Sequence, residues 1–406
     1  MILHIDGDAF FVGCELTRRP DLFGKPVVTG AERGIASAMS YEAKALGIMR
    51  GYPIFKLRKE FPDVVVLPGD YELYEQMSRR MYAIMRRFSD RVEEYSIDEC
   101  FALLRQDYAG QAREIKNTLA SELDMTFSVG LAPTKVLAKL ASKRDKPDGC
   151  VVVSPQNIEK ELYNMSIDRV WGIGRASVPL MRALGVNTVG DFAGQSEAWV
   201  RSYFHTPMLV LWREIKGESV MKVGEGDLAK HKSIQKTRTF SPPTSDQNVL
   251  MSQLAKNCEN AFSYARALNL ATSEISFFIK SDKFKYHTQN FKLVALTQTP
   301  EPVLAYIREH LFALMRTGEK YRATGITLIN LTEVKLSRKF NFRVRDLFSE
   351  HTQNDKYLEA HKVADSLYEK YGGRVLTLAS AMNASHLGHI QTPLTFLGLP
   401  SLGEVM

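Results

Sequence analysis

Apolar positions along the chain repeat in two periods, and the periods alternate. From Tyr71 to Phe88 the positions Leu73, Met77, Met81, Ile84, Met85 and Phe88 recur at spacings of three and four, which predicts a helix laying one stripe on a core. Met1-Ile2-Leu3-His4-Ile5 reads as a strand that runs into Asp6-Gly7-Asp8. Val12 to Leu16 opens a helix, Gly24 to Val28 is turn and strand, and Ser40 to Gly47 is a short helix ended by glycine. An apolar-rich strand region follows from Val92 to Leu104, then a helix from Ala109 to Leu123 and a strand from Thr126 to Leu131. The run Pro133 to Lys143 predicts a basic helix, and Lys146-Pro147-Asp148-Gly149 predicts a turn. This order predicts an α+β sheet with helices on one face.

The pattern changes at Val170-Trp171-Gly172-Ile173-Gly174-Arg175. Gly-x-Gly between two short helices, followed by Leu184-Gly185-Val186 and Val189-Gly190-Asp191-Phe192, reads as a helix-hairpin-helix whose glycines let backbone N–H groups approach a phosphate. Lys222 to Lys232 is polar, glycine-bearing and basic, as a linker should be. Beyond it lie a strand Ser233 to Phe240, a long helix from Ser245 as N-cap to Asn269, strands Thr272 to Lys280 and Asn290 to Leu296, a helix Pro302 to Thr317 and a strand Ala323 to Thr332. The tail carries an amphipathic helix through Tyr371 and ends in a Leu-, Gly- and Pro-rich stretch from Thr392 to Met406. His386 and His389 are spaced as metal ligands can be, yet no Cys or third His accompanies them.

Composition narrows the class. A length of 406 residues exceeds what one hydrophobic core serves and predicts two to four domains. No apolar run approaches the ~20 residues that span a bilayer, and the start lacks a signal-like segment, so a cytoplasmic protein with no membrane partner is expected. Cys14, Cys100, Cys150 and Cys258 are scattered, which argues against structural zinc and a disulfide framework. The net charge of +7 is unevenly placed: Lys222 to Phe340 holds 18 Lys and Arg against 10 Asp and Glu. One module therefore carries the whole basic balance, as a nucleic-acid clamp would.

The chemistry gathers at Tyr95-Ser96-Ile97-Asp98-Glu99. Two adjacent carboxylates in an apolar run are costly to bury without a cation, and the simplest partner is a divalent metal. Neighbours on a strand point to opposite faces, so Asp98 and Glu99 share a site only at a strand end or tight bend, with a third ligand from elsewhere. Asp6 is that candidate, giving an oxygen-rich Mg²⁺ site of Asp6, Asp98 and Glu99. Phe10-Phe11 beside the Asp6-Gly7-Asp8 turn suits core packing, or a ring stacked on a sugar or base. Tyr41 and Lys44 are three apart on one helix and share a face, which suits a phosphate.

These motifs together resemble the Y-family (translesion) DNA polymerases of the DinB/UmuC branch. The likeness rests on Asp6-Gly7-Asp8-Ala9-Phe10-Phe11, Pro26-Val27-Val28, Tyr41 to Gly47, Ser96-Ile97-Asp98-Glu99, Val129 to Lys135, Lys146-Pro147-Asp148-Gly149 and Gly172-Ile173-Gly174. Lys232-Ser233-Ile234 and Arg238-Thr239-Phe240 extend it into the second module; Arg19-Pro20-Asp21-Leu22 and Tyr71-Glu72-Leu73-Tyr74 are UmuC-like spellings, and the double Phe is DinB-like. The resemblance implies a right-hand polymerase: palm at 1–17 and 75–161, fingers at 18–74, a helix-hairpin-helix thumb at 162–221, a linker at 222–231, a C-terminal little finger at 232–340 and a tail at 341–406. It implies two Mg²⁺ ions, with Mn²⁺ as a substitute, on Asp6, Asp98 and Glu99 and the Gly7 carbonyl. It further implies nucleotide contacts from Phe10, Phe11, Tyr41, Lys44 and Lys146, Phe11 as the steric gate against a ribose 2'-OH, and DNA contacts from Gly172, Gly174, Lys232, Lys236 and Arg238.

Three stretches depart from the family pattern. Lys44 stands where an Arg is frequent and offers a point charge, not a bidentate fork. In Ser37-Ala38-Met39-Ser40-Tyr41, Ala38 supplies no hydroxyl and Ser40 replaces Asn. In Val344-Arg345-Asp346-Leu347-Phe348 only Leu347 and Phe348 keep the apolar anchor of a sliding-clamp peptide. The function implied is a low-fidelity, template-directed DNA polymerase that adds dNTPs to a primer 3'-OH by two-metal catalysis past damaged bases, as a monomer, in DNA repair and mutagenesis. A non-catalytic DNA-binding or clamp-interacting homologue is the alternative, and a nucleotide cyclase with a similar palm is a distant third that leaves the Gly-x-Gly hairpin and the basic module without a use.

Overall fold

The computed structural model describes residues 1–105, 108–224, 232–334, 350–371 and 376–386. The chain divides into two compact units, whose described parts are residues 1–224 and 232–386. The first unit begins β1 (Ile2–Gly7), α1 (Phe10–Arg18), β2 (Val27–Thr29), β3 (Ala38–Met39), α2 (Tyr41–Ala45), α3 (Ile54–Glu60), β4 (Val65–Leu67) and α4 (Tyr71–Arg86). It continues with β5 (Val92–Ser96), β6 (Glu99–Leu103), α5 (Tyr108–Leu123), β7 (Phe127–Ala132), α6 (Lys135–Arg144) and β8 (Cys150–Val152). Five short helices close it: α7 (Ile158–Leu162), α8 (Ser177–Ala183), α9 (Val189–Ala193), α10 (Glu197–Tyr203) and α11 (Thr206–Ile215).

The main sheet runs β5-β6-β1-β7-β8, antiparallel except for the β7–β8 pair. Every residue of the central β1 is buried, and the period-two alternation of a strand sorts its side chains between two unlike faces. Leu3 and Ile5 join Met77, Met81, Met85, Ile115 and Leu119 in an apolar core beneath α4 and α5. Ile2, His4 and Asp6 point the other way. On that side Ile2 and Phe101 pack with Val136, Leu137 and Leu140 of α6. Helices thus cover both faces, whereas the sequence pattern predicts one, because α6 carries its own apolar stripe across the second face.

Gly130 permits that arrangement. It lies opposite His4 on β7, and a Cβ there would stand 2.1 Å from the Ala138 carbonyl oxygen and 2.3 Å from the Ser142 nitrogen. The α6 backbone therefore rests directly on the strand. Thr134 caps α6, accepting from the Leu137 amide at 3.3 Å and donating to the Glu214 carbonyl at 2.9 Å. The fully buried Glu214 side chain accepts from the Val136, Val220 and Met221 amides at 3.3, 2.7 and 2.7 Å. These bonds tie α11 onto α6, and Phe192, Trp212 and Ile215 complete one core there. The small sheet β3-β2-β4 has a separate core around Val28, Met39, Ile54 and Leu57.

The apolar-rich run from Val92 to Leu104, expected to hold a strand around Asp98, is a hairpin: β5 and β6 pair antiparallel, Ser96 opposite Glu99, with Ile97 and Asp98 as the turn. A two-residue turn reverses the chain at the carboxylates themselves.

The second unit contains β9 (Ser233–Thr244), α12 (Gln247–Ala267), β10 (Leu270–Ser281), β11 (Tyr286–Thr297), α13 (Glu301–Leu314), β12 (Tyr321–Ile329), β13 (Thr332–Glu333) and α14 (Glu350–Tyr371). Its antiparallel sheet runs β11-β10-β12-β9, with α12 and α13 over one face around Leu254, Phe262, Phe277, Ile307 and Leu328. Asp246, not Ser245, caps α12, accepting from the Asn248 amide at 2.8 Å. Part of the tail folds back on this unit: Asp365 of α14 accepts from Ser263 at 2.8 Å and Arg266 at 2.7 Å, and Gln253 donates to the Ala384 carbonyl at 2.9 Å. Among the described residues no helix is long and apolar enough to cross a membrane.

Gly130→Ala should lower the stability of the first unit by about 3 kcal/mol, since backbone atoms of α6 have no room to yield. Urea unfolding followed by circular dichroism measures it; an unchanged midpoint would contradict the direct seating of α6 on β7.

Candidate active site

Strand register assembles the acidic residues. Asp6 lies opposite Glu99, and directly opposed residues in an antiparallel pair carry Cβ atoms ~5 Å apart on one face. The Gly7 amide donates to the Asp98 carbonyl at 2.9 Å, which pulls the hairpin turn against the end of β1. Ser96 Oγ donates to Asp98 Oδ1 at 2.8 Å and fixes that side chain. The tight bend that Asp98 and Glu99 need is therefore present.

Charge balance on this face is set by lysines. Lys139 Nζ of α6 lies 2.5 Å from Glu99 Oε2, and Lys146 pairs with Asp6. Burial pushes the Asp6 carboxyl up to about 7, with Glu99 and Asp98 adding to the rise and Lys146 opposing it. Burial acts on Glu99 in the same direction, but His4 and Lys139 outweigh it and hold Glu99 below the usual carboxylate range. His4 is fully buried, and burial above all pushes it down to about 4. Its Nδ1 is 2.8 Å from Ser142 Oγ and its Nε2 is 3.9 Å from Glu99 Oε2.

Among the described residues no three His, Cys, Asp or Glu side chains converge as a ready set around one metal position. Two of the carboxylates in question are turned onto ammonium groups. The donors are nonetheless hard carboxylate oxygens, and Asp6 is buried at a charge that Lys146 only partly offsets, as a site for a small divalent cation requires. Asp6, Asp98, Glu99 and the Gly7 carbonyl fit Mg²⁺ by donor chemistry.

Beside the acids stand the three expected phosphate contacts. Ser40 caps α2 by accepting from the Ala43 amide at 3.2 Å, which aims Tyr41 and Lys44. Lys44 Nζ sits 4.0 Å over the Tyr41 ring, and burial, then Lys146, lowers its pKa. Tyr41 donates to Asp8 Oδ1 at 3.3 Å, and Lys146 Nζ is 3.8 Å from the same oxygen. Ala38 lies in β3 opposite Thr29.

The two phenylalanines separate. Phe10 is 3% exposed, so its ring belongs to the core and any nucleotide contact by Phe10 is left to its backbone. Phe11 is half-buried and stacks on Tyr74 at 4.4 Å and 11°, with Tyr71 edge-on at 5.7 Å. Tyr74 in turn donates to Glu15 at 2.5 Å. These contacts leave the Phe11 ring little freedom to swing.

The expected DNA contacts are spread over both units. Gly172 has φ of 91°, and a Cβ on it would strike Leu211 at 2.7 Å, whereas a Cβ on Gly174 would meet nothing within 4 Å. The first helix of this hairpin is only a 3-10 turn, Ile167–Arg169. In the second unit Lys232 is exposed ahead of β9. Lys236 and Arg238 share the strand face of buried Ile234 and Phe240, and Lys236 Nζ sits 4.9 Å over the Tyr264 ring. Leu347 and Phe348 lie outside the described residues.

Sequence reading missed the residues that support this site: Asp8, His4, Tyr74, Trp171 and the lysines of α6. A signal existed for the last, because Lys135, Lys139 and Lys143 recur at every fourth position of one helix. Lys135 pairs with Glu93, and Lys139 lies 4.3 Å over the Tyr95 ring and 5.3 Å over that of Trp171.

Comparison with known proteins agrees with the sequence motifs. Residues 5–143 match the impB/mucB/samB family and residues 231–341 match the impB/mucB/samB family C-terminal domain. The chain is 31% identical over 344 residues to the DNA polymerase IV of Methanoculleus marisnigri, covering 81% of this chain and 93% of that protein. It is 32% identical over 350 residues to the protein UmuC of Salmonella typhimurium, covering 81% and 82% respectively. A solved Y-family DNA polymerase chimera superposes with a TM-score of 0.69 at 22% identity over 82% of this chain and 99% of its own, a likeness of fold.

Proposed function

The chain belongs to the impB/mucB/samB family, the DinB/UmuC-type Y-family DNA polymerases, and from that premise we propose that Asp6, Asp98 and Glu99 are its catalytic carboxylates. The enzyme is a DNA-directed DNA polymerase that carries out translesion synthesis, with primer-template DNA and dNTPs as its partners. The non-catalytic alternative has no support among the relatives. The observation that carries the site assignment is the register of Asp6 against Glu99 with Asp98 in the adjoining turn, beside Tyr41 and Lys146.

Polymerases of this family work with divalent metal ions. Two Mg²⁺ bound by Asp6, Asp98, Glu99 and the Gly7 carbonyl would lower the pKa of the primer 3'-OH and neutralise the leaving pyrophosphate. The residues do the positioning. Lys146, which pairs with Asp6, turns to the triphosphate, and Tyr41 and Lys44 hold it from α2. Lys44 attracts without the two-pronged geometry of an Arg, and Ala38 adds no hydroxyl. Phe11, braced by Tyr71 and Tyr74, fills the space a ribose 2'-OH needs. Lys139 keeps Glu99 ionised and aimed while no metal is bound.

The parts of the hand follow. Residues 1–17 and 75–161 form the palm, 18–74 the fingers, 162–221 the thumb and 232–340 the little finger, with Gly172, Gly174 and Lys232 on DNA, whereas Lys236 and Arg238 lie on the α12-covered face of β9 and back the strand from behind. Leu347 and Phe348 anchor a sliding clamp, and the polymerase acts as a monomer.

Asp98→Ala and Glu99→Ala should each slow primer extension ~100-fold or more, the scale of losing one preorganised electrostatic group, while primer-template binding stays largely intact. Near-normal turnover of either variant in a single-nucleotide extension assay would remove it from the metal site. Phe11→Ala should reduce discrimination against ribonucleotides at least ~10-fold, the scale at which a pocket's shape sorts substrates. Unchanged sugar selectivity in the same assay would end the steric-gate role.

A further inference from the structure

The mechanism above makes no use of Asp8, although its carboxylate is among the most enclosed groups of the first unit, with a side chain 1% exposed. A buried carboxylate is retained only where donors or cations satisfy it. Asp8 is satisfied by donors from three remote segments. Oδ1 accepts from Ser128 Oγ at 2.8 Å and from the Tyr41 hydroxyl at 3.3 Å, and Oδ2 accepts from the Asp148 amide at 2.8 Å. Lys146 Nζ, at 3.8 Å from Oδ1, adds charge without a direct hydrogen bond.

The donors are not an arbitrary set. Tyr41 opens α2, and Asp148 closes the Lys146-Pro147-Asp148 turn, where its φ of 59° places a non-glycine residue in the left-handed region. An amide held there by a fixed acceptor explains how that backbone shape is kept. One carboxylate thus reaches both segments that carry the proposed phosphate ligands, from residues 33 and 140 positions away in the chain. Ser128, on the neighbouring strand opposite Asp6, fixes the carboxylate's own rotamer. Asp8 and Asp6 lie two apart, so the carboxylate that gathers the phosphate ligands is rigidly spaced from one proposed for the metal.

We propose that Asp8 is a positioning residue that sets the spacing between Tyr41 and the Lys146 turn for the incoming triphosphate, and is not itself a metal ligand. The inference rests on the reading that Tyr41 and Lys146 hold the triphosphate. It accounts for the acid at this position: an amide side chain would face the Asp148 N–H with its oxygen only by turning its NH₂ onto the two hydroxyls, reversing the direction of the Tyr41 hydrogen bond.

The test compares Asp8→Ala with the unaltered protein in two assays. In the nucleotide-free protein, hydrogen exchange at the Asp148 amide should quicken at least ~10-fold, the scale of one lost hydrogen bond, while amides of β1 and α6 stay protected. In primer extension the dNTP KM should rise ~10-fold or more, with the half-saturating Mg²⁺ concentration unchanged. Tyr41→Phe should raise KM in the unaltered protein and add little on top of Asp8→Ala, the non-additivity of groups acting as one unit. Unchanged exchange at Asp148 would overturn the proposal, as would a shifted Mg²⁺ requirement with additive Tyr41→Phe. Faster exchange with an unchanged KM would instead show that Asp8 holds the turn and that the triphosphate reading of Tyr41 and Lys146 is at fault. If Asp8→Ala fails to fold, Asp8→Asn keeps an acceptor for the Asp148 amide; it should leave that amide protected and still raise KM, and an unchanged KM with an effective Tyr41→Phe would overturn the proposal.

Discussion

Burying several carboxylates under one helix is the constraint on which the first unit depends. Asp6, Asp8 and Glu99 share the face of the main sheet that α6 covers, and none is free in solvent. Ionised groups in such a place destabilise a fold unless each has a partner. The chain meets the requirement in three ways: ammonium groups on Asp6 and Glu99, neutral donors on Asp8, and a buried histidine beside Glu99. The seating of α6 on Gly130 and the anchoring of α6 by Glu214 then become requirements, since Lys139 reaches Glu99 from that helix.

The same arrangement explains how one face serves both stability and chemistry. The lysines that neutralise the acids offer point charges, and the half-buried Lys146 is the one proposed to exchange a carboxylate for a phosphate. Groups that must stay put are held by neutral hydrogen bonds or ring contacts, as Tyr41 is by Asp8 and Phe11 by Tyr74. Rigid and movable parts are thus separated by the type of interaction, ion pair against directed hydrogen bond or stacked ring.

Much of this was legible in the sequence, and the rest was hidden for physical reasons. The Met stripe of α4 and the Asp-Gly-Asp turn after β1 are local patterns, so their elements appear where the periodicity places them. The need for a bend at Asp98 and Glu99 was legible but its place was not, because the apolar residues run on through both sides of it and the two-residue reversal carries no glycine. The second helix layer was hidden because α6 reads as basic, while Lys135 and Lys139 are in fact buried against acids and rings. Phe10 and Phe11 are identical in sequence terms, and only the α1 register sends one ring into the core and the other toward Tyr74. The support from Asp8 depends on partners 33, 120 and 140 residues away, a distance at which no spacing rule operates.

The proposed mechanism requires that Asp6, Asp98 and Glu99 become one metal site when the lysine on Asp6 gives way. Anomalous diffraction from crystals of the enzyme with primer-template, an unreactive dNTP analogue and Mn²⁺ tests it most directly. Mn²⁺ should be bonded to oxygens of all three carboxylates, with Lys146 withdrawn from Asp6 and directed at the triphosphate. Mn²⁺ located elsewhere, or Lys146 still paired with Asp6 beside a bound nucleotide, would contradict it.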